Sequence, residues 1–542
     1  MVSTLEIGKF HAREKLLICN QCGACCGSDE LSVLVPDGCN FGFDVIEYIG
    51  RAMFLRCRNE REIQAELSEK NIVISIRGIG NLARKFVVYL ATVHRGASDA
   101  LKSLLAKNGG YILHLDGTCE GDSPHLTCAL DSLSEIVLGS IKAPSESAKD
   151  TIPLLRRMQQ DYGTPIAIVR DMGQGLAGAV RDVFPGLPEF ICHFHFLRDI
   201  GNDLLATEYA GLRKAIKPHR HAVIQLSKEL KRTIELASDL SDELRLCKAQ
   251  PDKIFSLSLH PKVFTYALVL WIQDAQSELD GYGFPFDRAH LHAFNRLKRA
   301  HRLLNHYKVE QACPQFARLK RILQEAAQDS TLLHAVAIVQ ERVQVFERLR
   351  TAMRIAQPDG KDGLNCSGDN TDIKTIKEKV SKFRHDKDLI AAAKEVPIYQ
   401  KLIEQIDKFW DKLFADPITV HTSHGEMTVQ PQRTNNILEQ FFRRFKRRNR
   451  RKGGMTSMTK FLKATIADSP ITVNLENKEY LDAILAGEPT LAAKFAKIDA
   501  SLIREKLNNK DLHRVPLKMR KIMRSQNFLE TLLQNAPSLA AQ

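Results

Sequence analysis

The chain has 542 residues, of which 44% are hydrophobic and 26% charged, and this composition excludes fibrous and intrinsically disordered proteins. Its length predicts several domains, and its formal net charge of +14 favours a polyanionic partner. Met1–Lys9 is mixed and polar, unlike a signal peptide, and the longest apolar run, Val263–Ile272, is half as long as a membrane span. We therefore expect a cytoplasmic protein without membrane contact.

Six of the twelve cysteines lie within the first 60 residues. Cys19 and Cys22 form a C-x-x-C pair followed by a glycine, which is the pattern of a knuckle that grips zinc. The residues expected to bind the ion are Cys19, Cys22, Cys25 and Cys39. Cys26 or His11 could replace one of them, and an incidental group of buried thiols is the alternative. We interpret residues 1–42 as a zinc-ribbon-like segment.

Residues 43–104 are predicted to form a helix-turn-helix DNA-binding domain. Helical periodicity runs over Phe43–Leu55 and Asn59–Lys70, and Ser75 can cap a third helix that continues toward Leu90. Two helices, a short turn and a capped helix are the arrangement of that unit, although an ordinary three-helix bundle gives the same pattern. The side chains expected to face DNA are Arg77, Asn81, Arg84 and Lys85.

Residues 105–205 are predicted to form a mixed α/β sheet with helices on its faces. The expected strands are Tyr111–Thr118, Pro124–Ser134, Glu135–Lys142, Thr164–Gly173 and Glu189–Phe196, and the expected helices are Ser145–Tyr162 and Gly175–Phe184. Three antiparallel strands followed by alternating helices and parallel strands are typical of such a sheet.

Two of these strands end on a carboxylate that comes shortly before a glycine. Asp116 closes the strand before Gly117, and Asp171 closes a later strand before Gly173. Either aspartate alone could be an ordinary turn residue. If the strands are neighbours, about 4.8 Å apart, the two carboxylates can share a divalent cation. The pair therefore indicates a metal site.

Helical patterns fill residues 206–425 and predict an inserted all-helical domain. In residues 426–470, Thr434 or Asn435 would cap a helix that carries Glu439 on its first turns. Eight of the ten residues from Arg443 to Lys452 are basic, and because they continue an amphipathic helix we expect them to face DNA phosphates. These basic residues are Arg443, Arg444, Lys446, Arg447, Arg448, Arg450, Arg451 and Lys452. Residues 471–542 are predicted to be a C-terminal helical region.

The order Asp116, Asp171, Glu439 resembles the DDE triad of transposases that have a ribonuclease-H-like core. The segment I-C-H-F-H, in which Cys192 and His195 form C-x-x-H, resembles a motif of Mutator-like transposases and of bacterial insertion-sequence transposases. The resemblance covers residues 105–205 and 430–465. It implies a multidomain α+β protein in which a zinc knuckle and a helix-turn-helix precede a ribonuclease-H-like mixed α/β core, interrupted by a large all-helical insertion.

The resemblance also implies roles for individual residues. Asp116, Asp171 and Glu439 would hold two Mg²⁺ or Mn²⁺ ions, the arrangement of a two-metal phosphoryl-transfer site. His195 would orient a metal ligand or contact the scissile phosphate, although Cys192 and His195 could simply pack at the end of a buried strand. The partners would be terminal inverted repeats, target DNA and further copies of this chain, in a homodimer or larger assembly that is nucleoid-associated if bacterial.

The sequence therefore favours a DNA transposase that binds element ends and catalyses metal-dependent strand cleavage and strand transfer. A non-catalytic, domesticated DNA-binding regulator and a structure-specific nuclease of the same core remain as alternatives. An enzyme acting on small molecules is disfavoured, because the chain shows neither a phosphate-cradling glycine loop nor a nucleophile elbow.

Overall fold

The computed structural model describes residues 1–13, 17–18, 20–23, 25–26, 29–252, 258–304, 313–356, 370–422, 425–454, 456–508, 519, 522–525 and 527–534. In the N-terminal segment, β1 (Val2–Ser3) pairs with β2 (Lys9–Phe10), β3 (Leu17–Ile18) pairs with β4 (Cys25–Cys26), and a one-turn helix follows, α1 (Asp29–Ser32).

Four helices then lead to the sheet, and the first three occur where the sequence predicts them. They are α2 (Phe43–Phe54), α3 (Glu60–Glu69), α4 (Ile76–Gly96) and α5 (Ser98–Ala106). Asn59 caps α3 in a reciprocal capping box with Glu62, and the Ser75 hydroxyl accepts a hydrogen bond from the Gly78 amide at the start of α4. Helices α2 and α4 cross closely at Gly50, where a Cβ atom would lie 2.1 Å from the Phe86 ring.

The sheet is mixed and has five strands in the order β7-β6-β5-β8-β9. Its strands and the two helices between them are β5 (Ile112–Thr118), β6 (His125–Asp131), β7 (Val137–Ala143), α6 (Ala148–Tyr162), β8 (Ala167–Arg170), α7 (Gln174–Val183) and β9 (Glu189–Ile191). The pairs β5–β6 and β6–β7 are antiparallel, whereas β5–β8 and β8–β9 are parallel. The carboxyl ends of β5, β8 and β9 therefore meet at one edge.

The last strand of the sheet is shorter than the predicted Glu189–Phe196, and this prediction was wrong beyond Ile191. Cys192 is the N-cap of a 44-residue helix, α8 (His193–Leu236), that runs through Pro218. The alternation F-I-C-H-F-H-F fits a strand, but the buried residues continue at helical spacing through Leu197, Ile200 and Leu204. Cys192 and His195 consequently lie one turn apart at the start of a helix.

Helix α8 joins two hydrophobic cores of the helical region. The other helices of this region are α9 (Ser238–Ala249), α10 (Pro261–Gln273), α11 (Ala289–Leu304), α12 (Pro314–Gln328), α13 (Ser330–Met353), α14 (Asn370–Arg384), α15 (Lys387–Glu395) and α16 (Pro397–Leu413). The first turns of α8 pack with α13 to α16, and its second half packs with α10 to α13.

A hairpin that the helical pattern of residues 206–425 did not predict closes the insertion. It consists of β10 (Ile418–Thr422) and β11 (Gly425–Val429). Val420 and Val429 pack against Ile112 and Val169, so the hairpin covers one face of the strands that carry the aspartates.

The chain then returns to the sheet. The remaining helices are α17 (Asn436–Gly453), α18 (Thr459–Ala464), α19 (Lys478–Leu485), α20 (Leu491–Ala496), α21 (Ala500–Asn508) and α22 (Phe528–Gln534), with a 3₁₀ segment at Ser469–Glu476. Asn474 in that segment donates from Nδ2 to the Val137 carbonyl and accepts at Oδ1 from the Val137 amide. This amide side chain satisfies backbone groups of β7, which would otherwise be an open sheet edge.

The resulting molecule is a mixed α+β protein with a five-stranded sheet and large helical regions. Within the described ranges, none of the helices combines the length and apolar character that crossing a membrane requires.

Candidate active site

Asp116 and Asp171 lie side by side at the carboxyl ends of two neighbouring parallel strands. The strand register pairs Leu115 with Arg170, so the residues that follow them, Asp116 and Asp171, lie at the same level of the sheet. The Oδ1 atom of Asp116 accepts a hydrogen bond from the Gly117 amide at 2.8 Å, and Oδ1 of Asp171 accepts one from the Gly173 amide at 2.9 Å. Strand β5 continues through Gly117 to Thr118, still paired with β6, so the prediction that this strand ends at Asp116 was wrong. The backbone just after each carboxylate holds it, within β5 for Asp116 and in the loop after β8 for Asp171.

Glu439, although 323 positions after Asp116 in the sequence, reaches the same place because α17 is anchored to β5. Asn435 donates from Nδ2 to the Leu115 carbonyl at 2.8 Å, and its Oδ1 accepts from Nδ1 of His114 at 2.9 Å. Asn435 occupies the N-cap position, but its side chain does not cap the helix, because both of its polar atoms are used by the strand. The first turn of α17, with Glu439, is therefore fixed over the sheet edge.

The pKa of Asp116 responds to the charged groups around it. Its side chain is 7% exposed, and burial raises the pKa of Asp116 to about 7, with the negative charges of Asp171 and Glu439 adding to the effect and His195 opposing it. A buried carboxylate beside two others disfavours its own ionised form. A bound cation would reverse that penalty, since it offsets the charge of all three groups at once.

The oxygens of the three carboxylates do not all lie within 4.8 Å of one another. Within the described residues, the one group of three potential ligands that meets this limit is Cys192, His195 and Glu439. Ligands of two different ions that stand about 3.5–4 Å apart need not meet so closely.

Glu146, in the loop before α6, is a fourth acid at this edge that the sequence did not reveal. A Cβ atom on Gly117 would lie 2.3 Å from Oε1 of Glu146, and one on Gly173 would lie 3.5 Å from its Oε2. Burial raises the pKa of Glu146 to about 7, and the charge of Asp171 adds to this rise. The glycines after the two aspartates thus leave room for the Glu146 carboxylate between them. The sequence position of Glu146, in a loop, gives no sign of this role.

Other acids near the site differ in character. Burial raises the pKa of Asp199, one turn after His195 on α8, and His195 opposes this rise. Glu120 and Asp122, the loop acids just beyond Asp116, turn away: Glu120 accepts a hydrogen bond from the Met458 amide, and Asp122 pairs with Lys463 at 2.6 Å. Those two acids tie the loop after β5 to the segment around α18.

The basic run on α17 divides into exposed and engaged side chains. Arg448 pairs with Glu476 at 2.7 Å, and the Lys452 ammonium lies over the rings of Phe54 and Phe461. The exposed members are Arg443, Arg444, Lys446, Arg447, Arg450 and Arg451. At the N-terminus, Arg77 and Arg84 are exposed on α4 and Lys85 is partly exposed. Contact with DNA stays a prediction for all of them.

The predicted zinc ligands lie partly outside the described structure. Cys19 is outside the described residues, and for Cys25 only the backbone, in β4, is described. Cys22 is exposed, while Cys39 is partly buried against the core beside Tyr89, and neither forms part of a three-ligand group among the described side chains. A zinc-ribbon-like segment at residues 1–42 stays a prediction.

No protein-family model matches the chain, and no curated protein does. Among solved structures, it is similar to the Drosophila P element transposase strand transfer complex, with a TM-score of 0.33 and 13% sequence identity over 82% of this chain and 93% of the other. Because a TM-score of that size does not establish a shared fold, the function of this chain rests on its own residues.

Proposed function

We propose that this protein is a DNA transposase, which cuts and joins DNA strands by metal-dependent phosphoryl transfer at Asp116, Asp171 and Glu439. The observation that carries the proposal is the convergence of these three carboxylates, from β5, β8 and α17, at one edge of the sheet. The sheet order β7-β6-β5-β8-β9, with β6 antiparallel to its neighbours, supports a ribonuclease-H-like core, and the helical region between β9 and α17 is its insertion.

The donor atoms at the edge fit Mg²⁺ or Mn²⁺, because both ions favour carboxylate oxygens. Burial and mutual repulsion leave the site short of positive charge, as the raised pKa of Asp116 indicates. Such ions would activate the attacking water or 3′-hydroxyl and stabilise the leaving oxygen. Asp116, Asp171 and Glu439 would hold these ions through their carboxylate oxygens.

The other residues have supporting roles in this proposal. Asn435 positions Glu439 through its two hydrogen bonds to β5, and the Gly117 and Gly173 amides orient the aspartates. His195, whose charge opposes the rise in the pKa of Asp116, would orient a metal ligand or contact the scissile phosphate. The exposed arginines of α17 would neutralise backbone phosphates of the DNA, and α4 would contribute Arg77, Arg84 and Lys85 to the recognition of element ends.

The test is cleavage and joining of the DNA that flanks the gene, with its terminal repeats, in the presence of Mg²⁺ or Mn²⁺. We expect D116N, D171N and E439Q each to lower both rates more than about 100-fold, because metal-assisted chemistry tolerates little displacement of its ligands. D122N is the matched control, since Asp122 is a nearby acid that faces Lys463 and should leave both rates unchanged.

The same assay separates the alternatives. Cleavage without joining would assign the site to a nuclease instead. Retention of DNA affinity by a protein that neither binds the ions nor cleaves would identify a regulator. Full activity in D116N and D171N would overturn the proposal.

A further inference from the structure

We propose that Cys192, His195 and Glu439 form a second metal site, selective for Zn²⁺ and similar ions. This site shares Glu439 with the group of Asp116, Asp171 and Glu439, and a bound zinc ion makes Glu439 unavailable to that group. The inhibition that follows rests on the proposed function, whereas the binding of zinc does not. The ligand atoms of the three side chains lie within 4.8 Å of one another. In a tetrahedral zinc site they would stand about 3.4–3.6 Å apart, so a closing movement of no more than about 1.4 Å completes the geometry.

Local structure brings the three groups together from two elements. Cys192 and His195 are separated by two residues at the start of α8, so their side chains lie on the same side of its first turn. Glu439 faces them from the first turn of α17. The Asn435 amide donates a hydrogen bond to the Cys192 sulfur at 3.2 Å, which connects the two helix starts directly.

A second observation points to a ligand at this place. Nδ1 of His195 is buried and has no hydrogen-bond partner among the described residues. Cys192 is fully buried, with 0% of its surface exposed. A buried imidazole nitrogen without a partner is costly, and a metal ion or the reorientation that accompanies its binding would satisfy it.

The donor set decides which ion is bound. A thiolate and an imidazole favour Zn²⁺ and similar transition metals, whereas Mg²⁺ prefers oxygen ligands alone. On binding, the Cys192 thiol releases its proton to solvent and a sulfur–zinc bond forms, with no change in oxidation state. With three protein ligands, the fourth position of a tetrahedral ion is left for water.

Because the zinc site uses Glu439, its occupation would affect the cleavage reaction. A carboxylate that is bound to zinc beside Cys192 and His195 is no longer available to the ions held by Asp116 and Asp171. Zinc would therefore switch off strand cleavage without displacing the two aspartates. The competing view is that Cys192 does no more than accept the hydrogen bond from Asn435 while packing in the core.

Zinc stoichiometry of the full chain, measured by competition with a chromophoric chelator, tests the binding. We expect C192S and H195Q each to bind one zinc ion fewer than the unsubstituted protein, even if the N-terminal cysteines bind zinc in all of them. C128S is the control, because Cys128 is a buried thiol opposite Asp116 on β6 but lies outside the group of three. Unfolding midpoints of all variants establish that each is folded.

Cobalt provides an independent readout. Co²⁺ bound to the unsubstituted protein should show a sulfur-to-metal charge-transfer band that is weaker by one thiolate in C192S and unchanged in C128S. Equal zinc stoichiometry and equal cobalt spectra in C192S and the unsubstituted protein would overturn the site.

Inhibition is tested separately, with each variant compared with its own zinc-free rate. Zinc should inhibit Mg²⁺-dependent cleavage by the unsubstituted protein, and C192S should need at least about 10-fold more zinc, which is the usual cost of losing a ligand-shell group. Zinc that binds at Cys192 without slowing cleavage would overturn the sharing of Glu439. If none of the proteins cleaves DNA but the stoichiometry differs as expected, the site stands and the proposed function fails.

Discussion

Two buried histidines join distant parts of the chain to the central sheet, and they differ in what else they touch. His94, on α4, bonds through Nδ1 to the Tyr480 hydroxyl at 3.0 Å and through Nε2 to the Leu138 carbonyl at 2.9 Å. His114, on β5, bonds through Nδ1 to Asn435 at 2.9 Å, and its Nε2 has no partner among the described residues. Burial lowers the pKa of each histidine to about 4.

Both histidines thus form buried hydrogen bonds between distant segments, but these bonds have different roles. His94 is fully satisfied and connects α4, α19 and β7 away from the carboxylates, so its effect is on stability. His114 fixes Asn435, which in turn fixes Glu439 four residues later. The contacts of His94 thus stabilise the fold, whereas those of His114 and Asn435 position the site. Substitutions at the two places should therefore affect stability and metal binding differently.

Among substitutions at these structural contacts, N435A is expected to have the largest effect. The change leaves the Leu115 carbonyl and His114 buried without partners, which should lower the free energy of unfolding by about 2–4 kcal/mol. Since Glu439 loses its anchor, Mn²⁺ affinity should fall about 10–100-fold. Urea denaturation and Mn²⁺ titration of the folded variant measure the two effects.

The matched control for N435A is N477A. Asn477 also bridges segments, since its Oδ1 accepts from the Tyr480 amide and its Nδ2 donates to the Ser134 carbonyl. Its loss should cost about 1 kcal/mol and leave Mn²⁺ affinity unchanged. Equal metal affinity in N435A and N477A would remove the distinction between the two kinds of contact.

Lowering the pH is expected to have an intermediate effect on the stability of the protein. The pKa of His94 is about 4 in the folded protein and about 6.5 when unfolded, so only the unfolded chain takes up this proton between those values. Stability should therefore fall as the pH drops below about 6.5, with the loss complete near pH 4 and worth up to about 3 kcal/mol.

Replacement of His94 tests this pH dependence. H94Q should be less stable than the unsubstituted protein at pH 7.5 but lose less of its stability between pH 7.5 and pH 5, as measured by urea denaturation at both values. An identical pH dependence in the two proteins would show that His94 is not a source of the acid sensitivity.

The smallest effects are expected at the far end of α17. Arg448 pairs with Glu476 near the surface, and a contact of this kind contributes at most about 1 kcal/mol. R447Q removes a charge from an exposed side chain, so it should lower the slope of log affinity for DNA against log salt by about 1 and leave stability unchanged. R448Q should instead lower stability and leave the salt dependence of DNA binding unchanged. DNA titrations at several salt concentrations, together with urea denaturation, compare the pair.

Much of the sheet and of the site follows from local patterns. The strands that carry Asp116 near their end or Asp171 just beyond it occur where apolar runs predict them, because a buried strand leaves a readable apolar run. The sequence does not decide whether these two strands are neighbours, and the structure pairs β5 with β8 in parallel.

Other features depend on contacts that no local pattern encodes. Asn435 has the sequence of a helix cap, but β5, 320 residues away, takes both of its polar atoms. Glu146 becomes a site residue only because Gly117 and Gly173 fold around it. The hairpin β10–β11 is stabilised by Ile112 and Val169, which lie in a different part of the sequence.

Helix α8 has a mechanical consequence. It is continuous over 44 residues and thus about 66 Å long, with its first turn beside Glu439 and its last turns in the core formed by α10 to α13. A rod of that length acts as a lever: a tilt of about 3° moves one end by about 3 Å relative to the other. Force that DNA or another protein applies to the far helices would reach Cys192 and His195 as a displacement of their whole turn.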